Sequence, residues 1–220
     1  MENQPKIAIL GGTGALGSGL AKRWVQAGFP VIVGSRTAEK AQEAANALTP
    51  AAGGPAPTGM SNYDAAKAAD VVVLTVPFSN HDAILDEIKD VVDGKIVVDA
   101  VVPLVPPKVA VVQLPPEGSA GMIAHNKIGD KARVVSAFQN VGANKLQAEG
   151  PIACDILVTG NDVESRKTVI ALIEPIGMRG IDAGAIANAA AAEAMTSLLI
   201  GINKRYKVDC AGIQITGING

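Results

Sequence analysis

Residues 12–17 read Gly12-Thr13-Gly14-Ala15-Leu16-Gly17, a G-x-G-x-x-G spacing. The chemistry open to such a spacing is phosphate binding by the backbone. Gly12 would permit a tight turn, Gly14 would let the chain approach a pyrophosphate, and Gly17 would let the following helix pack closely on a strand. A helix N-terminus placed there adds free N–H groups and a partial positive charge. A lone match says little, so the context decides. An apolar run at residues 6–10 precedes the glycines, and residues 15–27 follow with Leu16, Leu20, Trp24 and Ala27 on one helical face. Strand, glycine turn and amphipathic helix in that order predict a nucleotide-binding βαβ unit rather than a bare turn.

The second apolar run, residues 31–33, leads into Gly34-Ser35-Arg36, with Lys40 one helical turn later. An NAD site would place Asp or Glu here to bind the ribose 2′-hydroxyl. A hydroxyl, a guanidinium and an ammonium stand there instead, groups that would bind a 2′-phosphate through charge-assisted bonds. Basic residues at a helix start also oppose the helix dipole, so their placement calls for an anion. The reading is NADP in preference to NAD.

Other chemical groups are sparse. Tyr63 and Lys67 fit Tyr-x-x-x-Lys, but they fall between the second and third strands and read as an exposed helix turn. His81 and Lys108 are the candidates for a proton donor, His81 being equally readable as a solvent-facing helix start. Cys154 and Cys210 lie in apolar surroundings and make no disulfide framework. His81 and His125 have no partner at metal-ligand spacing, and no metal is expected.

These groups must be positioned by the rest of the chain. Strands are predicted at 6–10, 31–33, 70–76, 95–100, 133–138 and 155–159. Helices are predicted at 15–27, 38–48, 62–68, 82–92, 119–125, 162–176 (capped by Asn161) and 185–206. Residues 49–57 read as a loop, and the five prolines of 101–116 exclude a regular helix there. Residues 213–216 are ambiguous. Alternating apolar strands and helices predict an α/β fold, a Rossmann doubly wound parallel sheet with ligands beyond the carboxyl ends of the strands. At 220 residues the chain suits one domain plus an appendage: an NADP-binding domain over 1–150 and a small, mainly helical C-terminal part over 151–220. With 48% apolar and 18% charged residues, disorder is excluded as the main state. A net charge of −2 gives no basic field for nucleic acid, and one Trp, two Tyr and three Phe are too few for base stacking. No apolar run is long enough to span a membrane, and glycines cut the N-terminal apolar stretch too short for a signal peptide. A cytoplasmic protein is expected.

Gly11–Gly17, Val33-Gly34-Ser35-Arg36 with Lys40, Leu74-Thr75-Val76-Pro77, Val135-Ser136-Ala137-Phe138 and Ile181-Asp182-Ala183-Gly184 occur in a telling order. Together they resemble the NADPH-dependent reductases of the deazaflavin coenzyme F420, over nearly the whole length. The resemblance implies a homodimer or higher homo-oligomer whose C-terminal part completes the deazaflavin pocket. It implies that Thr13, Ser35, Arg36 and Lys40 hold the 2′-phosphate side of NADP and that Ala15 and Leu16 lie under the pyrophosphate. By the same resemblance Val76 and Pro77 border the nicotinamide ribose, Val141 and Ala143 orient the carboxamide, and Gln139, Asn140 and Gly142 line the substrate cleft.

There are departures. Gln139 stands where a His is expected, Gly142 where Pro or Ser is usual, and Ala185 where Pro follows Gly184. The run Ala189–Ala192 replaces a bulky or basic side chain. The resemblance implies hydride transfer between NADP(H) and coenzyme F420 with no dedicated acid–base residue. Two alternatives remain open: an NADPH-dependent reductase of a small carbonyl or imine, which needs a proton donor near the nicotinamide, and a non-catalytic NADP sensor. The helix at 185–206 is expected to be buried at a subunit or domain interface.

Overall fold

The computed structural model describes residues 4–218. The predicted βαβ unit forms from β1 (Ile7–Leu10), α1 (Ala15–Gln26) and β2 (Val31–Ser35). The chain continues through α2 (Ala38–Asn46), β3 (Thr58–Ser61), α3 (Asn62–Ala68), β4 (Val71–Leu74), α4 (His81–Ile88) and β5 (Ile96–Asp99). After the proline-rich segment come α5 (Ala120–Ile128), β6 (Arg133–Ser136) and α6 (Ala143–Gln147). The last elements are β7 (Asp155–Gly160), α7 (Val163–Ile173), β8 (Arg179–Asp182) and α8 (Ala189–Tyr206).

The strands form one sheet in the order β3-β2-β1-β4-β5-β6-β7-β8. Ile7 pairs with Val31 on one side and Val71 on the other, both in parallel. The chain therefore leaves β1 in opposite directions, and a crevice opens at the carboxyl end of β1. Alternate residues explain the unbroken apolar runs. Ile7 and Ile9 enter a core shared with Trp24 of α1, whereas Ala8 and Leu10 enter a second core with Leu85 and Ile88 of α4. A strand covered on both faces can have no polar alternation.

Several elements differ from expectation. The edge strand β3, Thr58-Gly59-Met60-Ser61, was predicted as no element: it is half-exposed and carries no apolar run. A Cβ at Gly59 would lie 2.1 Å from the Gln42 nitrogen, so α2 rests directly on this strand. β8 and α6 also carry too little periodicity to be read. β7 runs antiparallel to β6, with Ser136 opposite Thr159, within an otherwise parallel sheet. α7 is capped by Asp162 rather than Asn161, through the Asp162 carboxylate and the Ser165 N–H at 2.7 Å. α8 begins at Ala189, not 185, after a single 3₁₀ turn over Ile186–Asn188. Residues 213–216 form no helix or strand, but the Ile213 carbonyl accepts the Asp155 N–H at 2.8 Å.

Two buried ionisable side chains fasten the outer elements. Arg23 of α1 donates to five carbonyls: Lys145, Leu146, Ala148, Gly150 and Ile176, at 2.6–3.1 Å. It has no carboxylate partner among the described residues, and burial lowers its pKa. Glu193 of α8 accepts the Ala120 and Gly121 N–H groups at the start of α5, at 2.7 and 3.0 Å. Burial pushes Glu193 up to about 8, the two N–H groups working against that rise and Asp99 adding to it.

With its folded pKa raised above the ordinary 4.5, Glu193 holds a proton that the unfolded chain has lost across that interval. Its contribution to stability therefore falls as pH rises from about 4.5 to about 8. At about pH 5, where the parent's Glu193 is protonated, Glu193→Gln should lose roughly 1 kcal/mol from one broken N–H bond, and that deficit should shrink or reverse as pH rises toward 8. It should also show a flatter stability profile than the parent across that window. Urea unfolding midpoints at about pH 5 and pH 8 measure this; a slope equal to the parent's would show that Glu193 does not titrate there.

Candidate dinucleotide site

The carboxyl edge of the sheet holds a cavity of about 360 Å³ beside the glycine loop. Thr13, Gly14, Ser35, Arg36, Val76 and Pro77 line it, six of the predicted cofactor residues drawn from three different strand ends. The α4 residues Ala83, Ile84 and Glu87 also line it.

Backbone geometry builds the loop. The positive φ falls on Gly11, at 78°, rather than on Gly12. Gly12 is required for space, since a Cβ there would lie 2.8 Å from the Ile9 carbonyl and 2.9 Å from Val33. The Gly14 N–H donates to the Gly11 carbonyl at 2.9 Å and closes the turn. Gly14 is the N-cap of α1, exposed and without a side-chain cap. The first-turn N–H groups, including those of Ala15 and Leu16, are thus left for an anion.

The second anion position was only partly legible. Ser35 ends β2 and is buried; Arg36 and Lys40 are exposed. Thr37 is the N-cap of α2, and its side chain makes no capping bond. By contrast Ser61, Ser119 and Asp162 cap α3, α5 and α7. Thr37 escaped sequence reading, because Arg36 and Lys40 drew attention to charge rather than to an open helix end.

The residues expected to face the nicotinamide are arranged differently. Val141 and Gly142 line a second cavity of about 410 Å³, together with Cys154, Cys210 and Gly212. Ala143 starts α6. Gln139 and Asn140 were expected as hydrogen-bonding groups at the cleft edge. Both are buried. Gln139 Nε2 donates to the Asp99 carbonyl and to Ser136 Oγ, each at 2.8 Å, and Asn140 Nδ2 donates to the Ala192 carbonyl at 2.8 Å. Phe138, at φ 75°, turns the chain so that these amides face inward.

The reading of His81 as a solvent-facing group is corrected. It is 1% exposed, and Nε2 lies 2.7 Å from Asp99 Oδ2. Asp99 Oδ1 accepts the Val101 N–H at 3.0 Å. His81 Nδ1 has no partner among the described residues. The pair ties the start of α4 to the end of β5 and offers no proton to a substrate. Lys108 is exposed within the proline-rich segment. Among the described residues no group of three or more His, Cys, Asp or Glu side chains could hold a metal.

The family model described as NADP oxidoreductase, coenzyme F420-dependent, matches residues 6–103. The F420-dependent NADP reductase of Methanocaldococcus jannaschii is 43% identical over 97% of this chain and 99% of its own length. That of Methanothermobacter thermautotrophicus is 41% identical over 97% of this chain and 95% of its own. Among solved structures, a candidate F420-dependent NADP reductase from Arthrobacter sp. FB24 aligns with a TM-score of 0.78 at 25% identity, covering 96% of this chain and 99% of that one. Identity of this order along the whole length, on a sheet with the glycine loop and the basic turn at its carboxyl edge, leads to one conclusion: the chain belongs to the family of F420-dependent NADP reductases.

Proposed function

We infer that the protein catalyses hydride transfer between NADP(H) and coenzyme F420. The observation that carries this reading is the pair of open helix ends, α1 behind exposed Gly14 and α2 behind uncapped Thr37, with Arg36 and Lys40 at the second. NADP fits them, because its pyrophosphate and 2′-phosphate are two anions and each open end suits one. Gly12, Gly14, Ala15 and Leu16 form the pyrophosphate cradle. Thr13, Ser35, Arg36 and Lys40 hold the 2′-phosphate side. Val76 and Pro77 border the nicotinamide ribose, while Val141, Gly142 and Ala143 form the edge that orients the ring.

When bound, the nicotinamide exchanges a hydride at C4 with C5 of the deazaflavin. The protein's part is to hold two flat rings in contact and exclude water, and such positioning can contribute roughly 7–11 kcal/mol. The burial of His81 against Asp99 fits this division of labour and removes the better proton donor from the carbonyl or imine reductase reading. We place the second substrate against residues 139–143, with residues 151–220 completing the pocket. The shared lining of Val141 and Gly142 with Cys154, Cys210 and Gly212 supports that placement.

We further propose a homo-oligomer joined through α8. Leu198, Ile202 and Tyr206 recur every fourth residue, at 55%, 36% and 74% exposure; Val111 and Val112 are also exposed, and a Cβ at Gly201 of the same helix would lie 3.9 Å from the Cβ of Ala110. Ala189 and Ala192 are buried in the chain's own core while Ala191 is exposed, so we take the outer stripe as the contact rather than the alanine run as a whole. Among the described residues no helix is long and apolar enough to cross a membrane. Both cysteines are free thiols, and we place the protein in the cytoplasm.

Three outcomes are expected. Mixed with NADPH and oxidised F420, the protein should bleach the deazaflavin absorbance; NADPH binding without bleaching would overturn the function. Arg36→Ala should raise the NADPH dissociation constant about 10-fold or more, from the loss of about 1.5–3 kcal/mol of charge-assisted bonding, with NADH hardly affected. Equal weakening of both would show that Arg36 supports the fold instead. Leu198→Glu should shift the protein toward monomer in light scattering, and an unchanged mass would remove α8 from the interface.

A further inference from the structure

We propose that Asn62 is a further cofactor-binding residue, donating its side-chain N–H to the 2′-phosphate; this rests on the NADP reading of the cavity. Ser61 pairs with Ser35 in the sheet register, so Asn62 leaves the sheet beside Arg36. Its side chain is buried, and Ser61, not Asn62, caps α3. The carboxamide reaches over Gly34, where a Cβ would lie 3.1 Å from Asn62 Oδ1. That oxygen accepts the Gly11 N–H at 3.4 Å.

The bond to Gly11 settles the orientation of the amide. An N–H donor demands the oxygen, so Nδ2 is directed the other way. Nδ2 has no protein partner among the described residues, yet it is not sealed from solvent. Asn62 lines the same cavity as Thr13, Ser35 and Arg36. A half-satisfied amide held rigidly between the pyrophosphate loop and the basic turn is a donor awaiting an acceptor. The acceptor nearest in chemistry to Ser35 and Arg36 is the phosphate on the adenosine ribose. A group bonded at once to Gly11 and to that phosphate would couple the two anion positions.

The test uses the full chain, titrated with NADPH and separately with NADH by nicotinamide fluorescence, with melting temperatures to confirm folding. Asn62→Asp keeps the acceptor for Gly11 but removes the donor and adds a negative charge. It should weaken NADPH by well over 10-fold and NADH by less than about 3-fold. The neutral Asn62→Ala should weaken NADPH by about 10-fold, again with the smaller effect on NADH, should the Asp variant fold poorly. In F420 turnover the KM for NADPH should rise while kcat at saturating NADPH stays at the parent's value. Equal losses for both cofactors, or none for either, would overturn the assignment. Failure of the parent protein to bind NADPH would overturn the NADP reading instead.

Discussion

The cofactor edge depends on how closely α1 approaches the sheet at Gly17. A Cβ there would lie 2.6 Å from Thr75 Oγ1 and 2.7 Å from the Gly11 carbonyl. Thr75 cannot yield easily, because its hydroxyl donates to the Leu10 carbonyl at 2.8 Å and joins the ends of β1 and β4. Any side chain at position 17 would push the start of α1 away from the strand ends, and its N–H groups would no longer point at the crevice. Contact between helix and sheet thus sets the aim of the helix N-terminus, and only glycine permits it.

Two turns further along, the same helix organises the second cavity, around Val141 and Gly142. Arg23 gathers the carbonyls around α6 and the segment after it, and Trp24 donates to the Leu172 carbonyl at 2.8 Å while meeting Phe138 edge-on. Each carbonyl Arg23 holds lies in irregular chain or at a helix end, where buried acceptors otherwise go unsatisfied. α1 therefore presents its uncapped N-terminus to the crevice and fixes residues 138–150 through its later turns. The antiparallel pairing of β7 completes the arrangement: its first residues lie at the carboxyl edge, bringing Cys154 and the chain after Tyr206 beside Gly142.

The polar groups buried near the crevice bond mainly to the protein. His81 binds Asp99, Gln139 binds Asp99 and Ser136, Asn140 binds α8, and Glu193 binds α5. Such bonds stiffen the strand ends but leave few titratable groups to face a substrate. That is the composition expected of a site where two cofactors carry the chemistry and the protein carries the geometry.

The sequence by itself determined the parts whose signals are local. Parallel strands covered on both faces must be continuous apolar runs, so β1, β2, β4 and β5 were visible. The glycine spacing and the Ser35–Arg36–Lys40 turn were readable as candidate anion sites because the backbone freedom and charge needed for that chemistry reside in those residues. Only the tertiary structure decided what depends on partners distant in the chain. β3 is a strand because β2 and α2 receive it, not because Thr58-Gly59-Met60-Ser61 prefers one. The direction of β7 is set by pairing across the sheet, which a period of two cannot encode. His81 read as a helix start open to solvent, and Gln139 and Asn140 as groups at a cleft edge. All three are buried because Asp99, Ser136 and Ala192, distant in the chain or turned by Phe138, supply the hydrogen bonds that make burial affordable.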